Sequence, residues 1–254
     1  VWYPTGHCYR NNGNYTYPSY YELINGKWEN KSWNGLSDSR KLMSGYNCWH
    51  DQNGVAYYSD ESSSYGKQLV LDEESQTWNA ITWSGSIKPS YGRFVWDWDG
   101  HVYYSYDGTE LELTNGYWSY NTWDVLPSGI KLDASNIWKW KGHCYYSSGT
   151  TQLELVGKQW LNKDWGTLKN FNGSSIWTSD GRCFMNGTRE LVDGEWVTKT
   201  WPQPLTAPSG NYIWQWDDEV YYSNGLNNQY RLKKNESKYD IFTKDGREVL
   251  LSPN

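Results

Sequence analysis

Short runs in which apolar and polar residues alternate recur along the chain: "YYEL" from Tyr20, "QLVL" from Gln68, "ELEL" from Glu110, "QLEL" from Gln152, "RELV" from Arg189 and "QYRL" from Gln229. A period of two places successive side chains on opposite faces of an extended strand. Each run is bounded by Gly, Asn, Asp or Ser, and the chain between them is rich in Val, Ile, Tyr and Trp, which favour strands. No stretch sustains a 3.6-residue period. The pattern predicts short strands throughout and no helix of any length.

Those runs belong to a longer repeat, V-W-x-W-x-G-H-V-Y-Y-S, which begins at Val1, Cys48, Val95, Ile137, Ile176 and Ile213. Its leading tryptophans are Trp2, Trp49, Trp96, Trp138, Trp177 and Trp214, spaced 47, 47, 42, 39 and 37 residues apart. Each alternating run is followed by a Trp pair five positions apart: Trp28/Trp33, Trp78/Trp83, Trp118/Trp123, Trp160/Trp165 and Trp196/Trp201; the sixth copy has Tyr239/Lys244. A copy therefore reads as four strands. The first carries the leading Trp. A turn at Gly6, Gly54, Gly100, Gly142 or Gly181 (Asp218 in the last copy) leads to the second, "HVYYS". The alternating run is the third, and the Trp pair marks the fourth.

Four strands in a unit of roughly 40 residues predict an all-β, six-bladed β-propeller of four-stranded antiparallel blades. The expected organisation is one propeller domain over 1–254, with repeats at 1–47, 48–94, 95–136, 137–175, 176–212 and 213–246 and an extra strand or tail at 247–254. Its last copy completes its fourth strand near Thr243, with no blade split between the termini. Positions an odd number apart face opposite ways, so each Trp pair covers both sides of a blade that needs apolar cover on both. These aromatics are expected in the core.

A Tyr-rich strand ahead of a Trp in every copy resembles kelch-type propellers, with "YYS" standing where kelch repeats carry a double Gly. The tandem pattern "IWxWxGxxYYSxG…W…TW" is also similar to Trp-rich repeats of phage virion proteins and gut-bacterial surface proteins. Both resemblances imply a protein that binds others, whether proteins or glycans.

Composition narrows the partners. The chain has 19 Trp but only 4 Phe and 2 Met, a mean hydropathy of −0.90 and a net charge of −6. An acidic chain lacks the basic stripe of a nucleic-acid groove and has no pull toward an anionic membrane. No apolar run is long enough for a bilayer-spanning helix, and no signal-peptide pattern opens the chain. It begins at Val1 rather than with an initiator Met, which points to a processed, excised or partial chain.

Reactive residues fall into repeat slots. Cys8, Cys144 and Cys183 stand where other copies have Ala56, Val102 and Val220, and Cys48 stands where others have Val95, Ile137, Ile176 and Ile213. All four replace small apolar residues and are expected to be buried free thiols. No CxxC pair marks a zinc site, and no metal or cofactor is expected. His7, His101 and His143 share a slot held elsewhere by Val55, Arg182 and Glu219, which argues against a catalytic base or a metal shell; His50 lies outside that slot. "SYDGTELEL" from Ser105 opens like a sialidase Asp box and then departs from it. Asp97, Asp99, Asp217 and Asp218 are too scattered to name a glycosidase acid/base pair. Nothing marks the Tyr/His ligand set of a copper oxidase. Sequons at Asn14, Asn30, Asn172, Asn186 and Asn235 are unremarkable in a chain rich in Asn, Ser and Thr. The expectation is that the chain is not an enzyme.

Two aromatic sets exceed what the repeat needs. Trp98, Trp140 and Trp216 share a slot two residues after a leading Trp, where Pro4, Asp51 and Ser179 also occur. They are read as a glycan-stacking surface, or else as plugs of a narrow channel. Tyr15, Tyr17 and Tyr65 lie in long loops between second and third strands and form a second candidate set on the opposite propeller face. The expected function is non-catalytic recognition of a glycan or cell-surface receptor by a phage or bacterial surface attachment module, placed on a virion or cell surface. The alternative is a structural, protein-interaction propeller in a larger assembly. No nucleic acid and no membrane insertion is expected.

Overall fold

A computed structural model describes residues 7–11, 19–25, 27–36, 42, 45–61, 67–179, 181–186, 188–199, 213–216, 219–223, 229–233, 238–242 and 248–249. The described strands form antiparallel sheets in simple chain order. The first holds β1 (Tyr9–Asn11), β2 (Tyr20–Ile24) and β3 (Lys27–Lys31). The second holds β4 (Cys48–His50), β5 (Ala56–Asp60), β6 (Lys67–Asp72) and β7 (Thr77–Ala80). Next come β8 (Val95–Trp98), β9 (His101–Tyr106), β10 (Thr109–Thr114) and β11 (Tyr117–Tyr120). The fourth sheet is β12 (Ile137–Trp140), β13 (His143–Ser148), β14 (Thr151–Val156) and β15 (Gln159–Asn162). The fifth is β16 (Ile176–Ser179), β17 (Arg182–Met185), β18 (Arg189–Val192) and β19 (Glu195–Thr198). The last is β20 (Ile213–Trp216), β21 (Glu219–Ser223), β22 (Gln229–Lys233), β23 (Lys238–Phe242) and β24 (Glu248–Val249), the final strand pairing Val249 with Ile241.

The fold is an all-β propeller of four-stranded antiparallel blades. Among the described residues the blade count is five, not the six that the repeat predicts. Five copies form sheets of four or five strands, and the first copy forms a sheet of three; the segment around Trp2, where the repeat places a further strand, lies outside the described residues.

The repeat is a repeat of register. Trp49 pairs with Tyr57, Trp96 with Tyr103, Trp138 with Tyr145, Trp177 with Phe184 and Trp214 with Tyr221. On the far side of the blade Leu71 pairs with Trp78, Leu113 with Trp118, Leu155 with Trp160 and Leu191 with Trp196. The turn between β8 and β9 consists of Asp99 and Gly100, both at positive φ (49° and 76°), the two-residue geometry that matches strand twist.

Two compact units are present: Val1–Thr122 with Ser128–Ser135, and Trp123–Pro127 with Asn136–Asn254. In the first, the second blade shows why both faces are apolar. Ala56, Tyr58, Leu69, Leu71 and Trp78 pack on Tyr9 and Trp33 of the first copy. From its other face, Trp49, Tyr57 and Trp83 pack on Val102, Tyr104, Leu111, Leu113 and Trp118 of the third. Trp78 and Trp83 thus serve opposite faces. Trp49 stacks on Trp83 (centroids 5.9 Å apart), and Trp118 meets both edge-on at 5.5 and 6.1 Å. The second unit repeats the arrangement, with Trp138, Tyr145 and Trp165 against Cys183, Met185, Leu191 and Trp196.

A buried indole N–H needs an acceptor. The serine of "YYS" provides it: Trp49 Nε1 donates to Ser59 Oγ at 2.9 Å, Trp96 to Ser105 at 3.0 Å and Trp138 to Ser147 at 2.9 Å. Ser59 in turn donates to Gln68 Oε1 (2.8 Å), which also accepts from Trp83 Nε1 (2.9 Å). Ser105 donates to Glu110 Oε2 (2.6 Å).

A short 3-10 turn precedes each of the first strands β4, β8, β12 and β16. A Cβ at Gly92 would collide with the carbonyl of Asn47 and come within 2.7 Å of Trp49 Cδ1; Gly173 meets Asn136 and Trp138 in the same way. Glycine is required at both by close backbone approach. Linkers close two outer edges. Asn34 runs parallel to β7, bonding Gln76 O (3.3 Å) and Trp78 N (3.2 Å), and Asp124–Val125 runs beside β15, bonding Lys158 O (2.9 Å) and Trp160 N (2.8 Å).

None of the four cysteines forms a disulfide. Burial raises the thiols of Cys8 and Cys183 to about 12 and raises that of Cys48 as well. Ellman titration is expected to find little reactive thiol in the folded chain and four thiols after denaturation without reductant; none after denaturation would establish disulfides. Trp118→Ala should destabilise the fold by about 3–5 kcal/mol in urea unfolding, as truncation of a buried Trp does. Gly92→Ala, which overpacks a closed contact, should cost about 1–3 kcal/mol or more. A loss under about 1 kcal/mol for Trp118→Ala would place that residue outside the core.

Candidate functional site

In the third and fourth sheets the first and second strands meet in a two-residue turn, Asp99–Gly100 and Lys141–Gly142, and the first candidate set lies at the ends of such first strands. Trp98 ends β8 opposite His101, Trp140 ends β12 opposite His143, and Trp216 ends β20 opposite Glu219. Trp98 and Trp140 are half-buried, unlike the fully packed leading tryptophans. Trp140 Nε1 reaches the carbonyl of Gly181 at 3.4 Å, in the corresponding turn of the next blade, and Lys141 Nζ lies 4.5 Å from its ring centroid. Trp98 and Trp140 belong to different units. Tyr15, Tyr17 and Tyr65 lie outside the described residues.

The histidine slot has a partner that sequence reading missed. His7, His101 and His143 place Nδ1 at 2.5, 2.7 and 2.7 Å from Glu22, Glu112 and Glu154. Where the slot holds Arg182, the guanidinium grips Glu190 through two bonds of 2.6 and 2.7 Å. A lysine on the fourth-strand side joins three of these: Lys31 to Glu22 (3.1 Å), Lys163 to Glu154 (2.8 Å) and Lys199 to Glu190 (3.6 Å). Lys31 and Lys163 also sit 4.9 and 5.1 Å from the ring centroids of Trp33 and Trp165, over the aromatic layer. The second copy replaces the whole set by Val55, Val70 and Ile81, and the last reverses the charges with Glu219 and Arg231. The slot therefore holds one end of a cross-strand polar ladder. It was hidden because the partners lie 15, 11 and 8 residues apart in different copies, across hairpins of unequal length.

Burial opposes charge on Glu22 and Glu154, but hydrogen bonds from the flanking His and Lys outweigh it and hold both carboxyls below their usual value. For Glu190 the bonds from Arg182 dominate, in the same direction. Among the described residues, no group of three His, Cys, Asp or Glu is placed to hold a metal ion.

A cleft of about 640 Å³ opens beside this turn region in the first unit. It runs between β4 and β8 and is lined by Tyr46, His50, Asp51, Gln52, Asp97 and His101, over Trp49 and Trp96. Its size falls within the roughly 300–1,000 Å³ of small-molecule sites. Asp51 is engaged structurally: Oδ1 accepts from the backbone N–H of Asn53 (2.9 Å) and Val55 (3.0 Å). Trp98 is not part of this wall, so the cleft and the Trp slot are neighbouring features and not one site.

Lowered carboxyl pKa values make a contribution to stability that is present above the unfolded carboxylate value, about 4.3, and is lost as pH falls through the lower folded values. The urea midpoint is therefore expected to drop below pH ~4, and Glu154→Gln should make that drop shallower while lowering the midpoint at pH 7. An unchanged acid profile in Glu154→Gln would show that the ladder contributes nothing to stability.

No protein-family model matches the chain, and no curated protein sequence does. The kelch and Trp-rich resemblances thus find no family match behind them. Solved structures do match. The extracellular domain of a protein assigned as a hybrid two component system from B. thetaiotaomicron is 10% identical, with a TM-score of 0.50, over 92% of this chain and 36% of that one. A second such domain from the same organism is 9% identical (TM-score 0.45; 92% and 39% covered). A protein assigned as a 6-phosphogluconolactonase from Bacteroides uniformis is 12% identical (TM-score 0.43; 93% and 82% covered). The chain spans well under half the length of the first two. At such identities the likeness is one of fold alone, and the fold is the propeller.

Proposed function

We propose that the chain is a non-catalytic recognition propeller that binds a glycan or a cell-surface receptor through the turns that join the first and second strands of its blades. The observation that carries this reading is the state of Trp98 and Trp140. Both rings are half-buried at strand ends, in a slot that other copies fill with Asp51 or Ser179, so the repeat does not require an aromatic there; Trp140 also packs against the core of the second unit, which leaves Trp98 as the clearer case. A flat indole kept where packing does not demand it suits the apolar face of a sugar ring, or a receptor side chain. Trp216 occupies the third such position. An extracellular or virion-surface setting is part of the proposal; the first structural neighbour is itself an extracellular domain.

One observation favours the alternative of a protein-interaction propeller in a larger assembly. Val156, Leu161, Val192 and Val197 are apolar and 40–54% exposed toward the outer strands of the fourth and fifth blades. Apolar side chains left exposed in neighbouring positions are a feature of assembly surfaces.

A glycan array probed with the purified chain separates the two readings. Binding to defined glycans that weakens about tenfold or more in Trp98→Ala or Trp140→Ala, with folding intact, is the expected result. An empty array together with loss of self-association or partner capture in Val156→Lys/Leu161→Lys would favour the assembly reading. A fluorogenic glycoside panel is expected to show no turnover, and turnover would overturn the non-catalytic reading.

A further inference from the structure

One slot of the repeat differs in every copy. Between the leading Trp and the Trp98 slot stand Tyr3, His50, Asp97, Lys139, Thr178 and Gln215, a different side chain in every copy and all but one of them fully polar. The residue directly opposite, on the second strand, is uniformly small and apolar: Ala56, Val102, Cys144, Cys183 and Val220. A frame that holds one partner constant while changing the chemistry of the other is not selecting for packing. His50, Lys139 and Thr178 are half-buried, and Asp97 is exposed.

Two of these variable positions, His50 and Asp97, lie in the wall of the cleft between β4 and β8. We propose that this cleft binds a neutral hexose unit of a glycan and that the variable slot sets which sugar it takes. This rests on the reading of the chain as a glycan-recognition propeller, and it moves the determinant of specificity from the Trp slot to the cleft.

The lining supports that class of ligand. The Asp97 carboxylate accepts hydrogen bonds, the imidazoles of His50 and His101 can donate or accept, and the Gln52 amide does both. Sugar hydroxyls, which donate and accept, match such a mixed set. Tyr46 stands at the rim, 70% exposed, and offers a ring for the C–H face of a pyranose. Among the described residues no lysine or arginine lines the cleft, whereas Asp51 and Asp97 do, so a sialylated, sulfated or phosphorylated sugar would meet like charge there.

The test uses a glycan array of neutral, sialylated and sulfated oligosaccharides, followed by calorimetric titration of the best neutral glycan. Asp97→Asn, His50→Ala, Tyr46→Ala, Trp98→Ala and Asp97→Lys are compared, with each variant's urea midpoint as the folding control. The expected result is selection of neutral glycans. Binding should weaken about tenfold or more in Asp97→Asn and Tyr46→Ala, as loss of one well-made contact does, and no less than in Trp98→Ala. Asp97→Lys should shift selection toward sialylated or sulfated glycans, a gain that a misfolded variant cannot imitate. Neutral binding that survives every cleft substitution would overturn the cleft site and leave glycan recognition standing. Preference of the parent chain for anionic glycans would overturn the neutral class. No glycan bound at all would remove both readings.

Discussion

A blade enclosed between two neighbours has no solvent side, and this constraint shapes nearly everything else in the chain. An ordinary antiparallel sheet can alternate apolar and polar positions because one face meets water. Here β5 and β9 must bury consecutive residues, which is why "YYS" replaces alternation with an almost continuous buried run. Large aromatics then cover both faces from few positions. The cost is polar atoms buried with them; serines and Gln68 accept the hydrogen bonds that Trp49, Trp83, Trp96 and Trp138 donate, and Glu110 accepts from Ser105.

Outer edges pose the opposite problem, since a fourth strand exposes unpaired backbone groups that invite association with another chain. Two of these edges are closed by the chain itself. Asn34, next to Trp33 of the first copy, lies beside β7 of the second, and Val125, two residues after Trp123 of the third copy, lies beside β15 of the fourth. Covalent connection and edge protection are thus the same few residues, and the linker is held to the strand it shields.

Much of this was legible from residues alone, because it depends on local spacing. Trp78 and Trp83 serve opposite faces for the reason their odd separation implies, and the lack of disulfides follows from the apolar slots that the four cysteines fill. What escaped depends on relations between strands. Six copies imply six equal blades, but the described residues show five, with a sheet of three strands in the first copy. His101 and Glu112 look unrelated until β9 and β10 are paired, and in other copies the same pairing spans a different number of residues. The cleft was still less accessible, as His50 and Asp97 are 47 residues apart and meet only when neighbouring blades pack. Trp98 was visible as a surplus aromatic; that it stands beside the cleft and not in its wall was not.

The ladder also says something about how such a chain can change. Its members vary as a set: His, Glu and Lys in one blade, Val, Val and Ile in another, reversed charges in a third. The commonest residue in each column gives the His, Glu and Lys of the first and fourth copies, so an average of the six keeps the ladder whole. A single column moved from that set into the second copy does not: it would place a glutamate between Val55 and Ile81, where no cation waits for it. The heritable unit here is the whole blade, so recombination that exchanges complete copies preserves the ladder, while drift at single columns must pass through a half-buried charge with no counterpart.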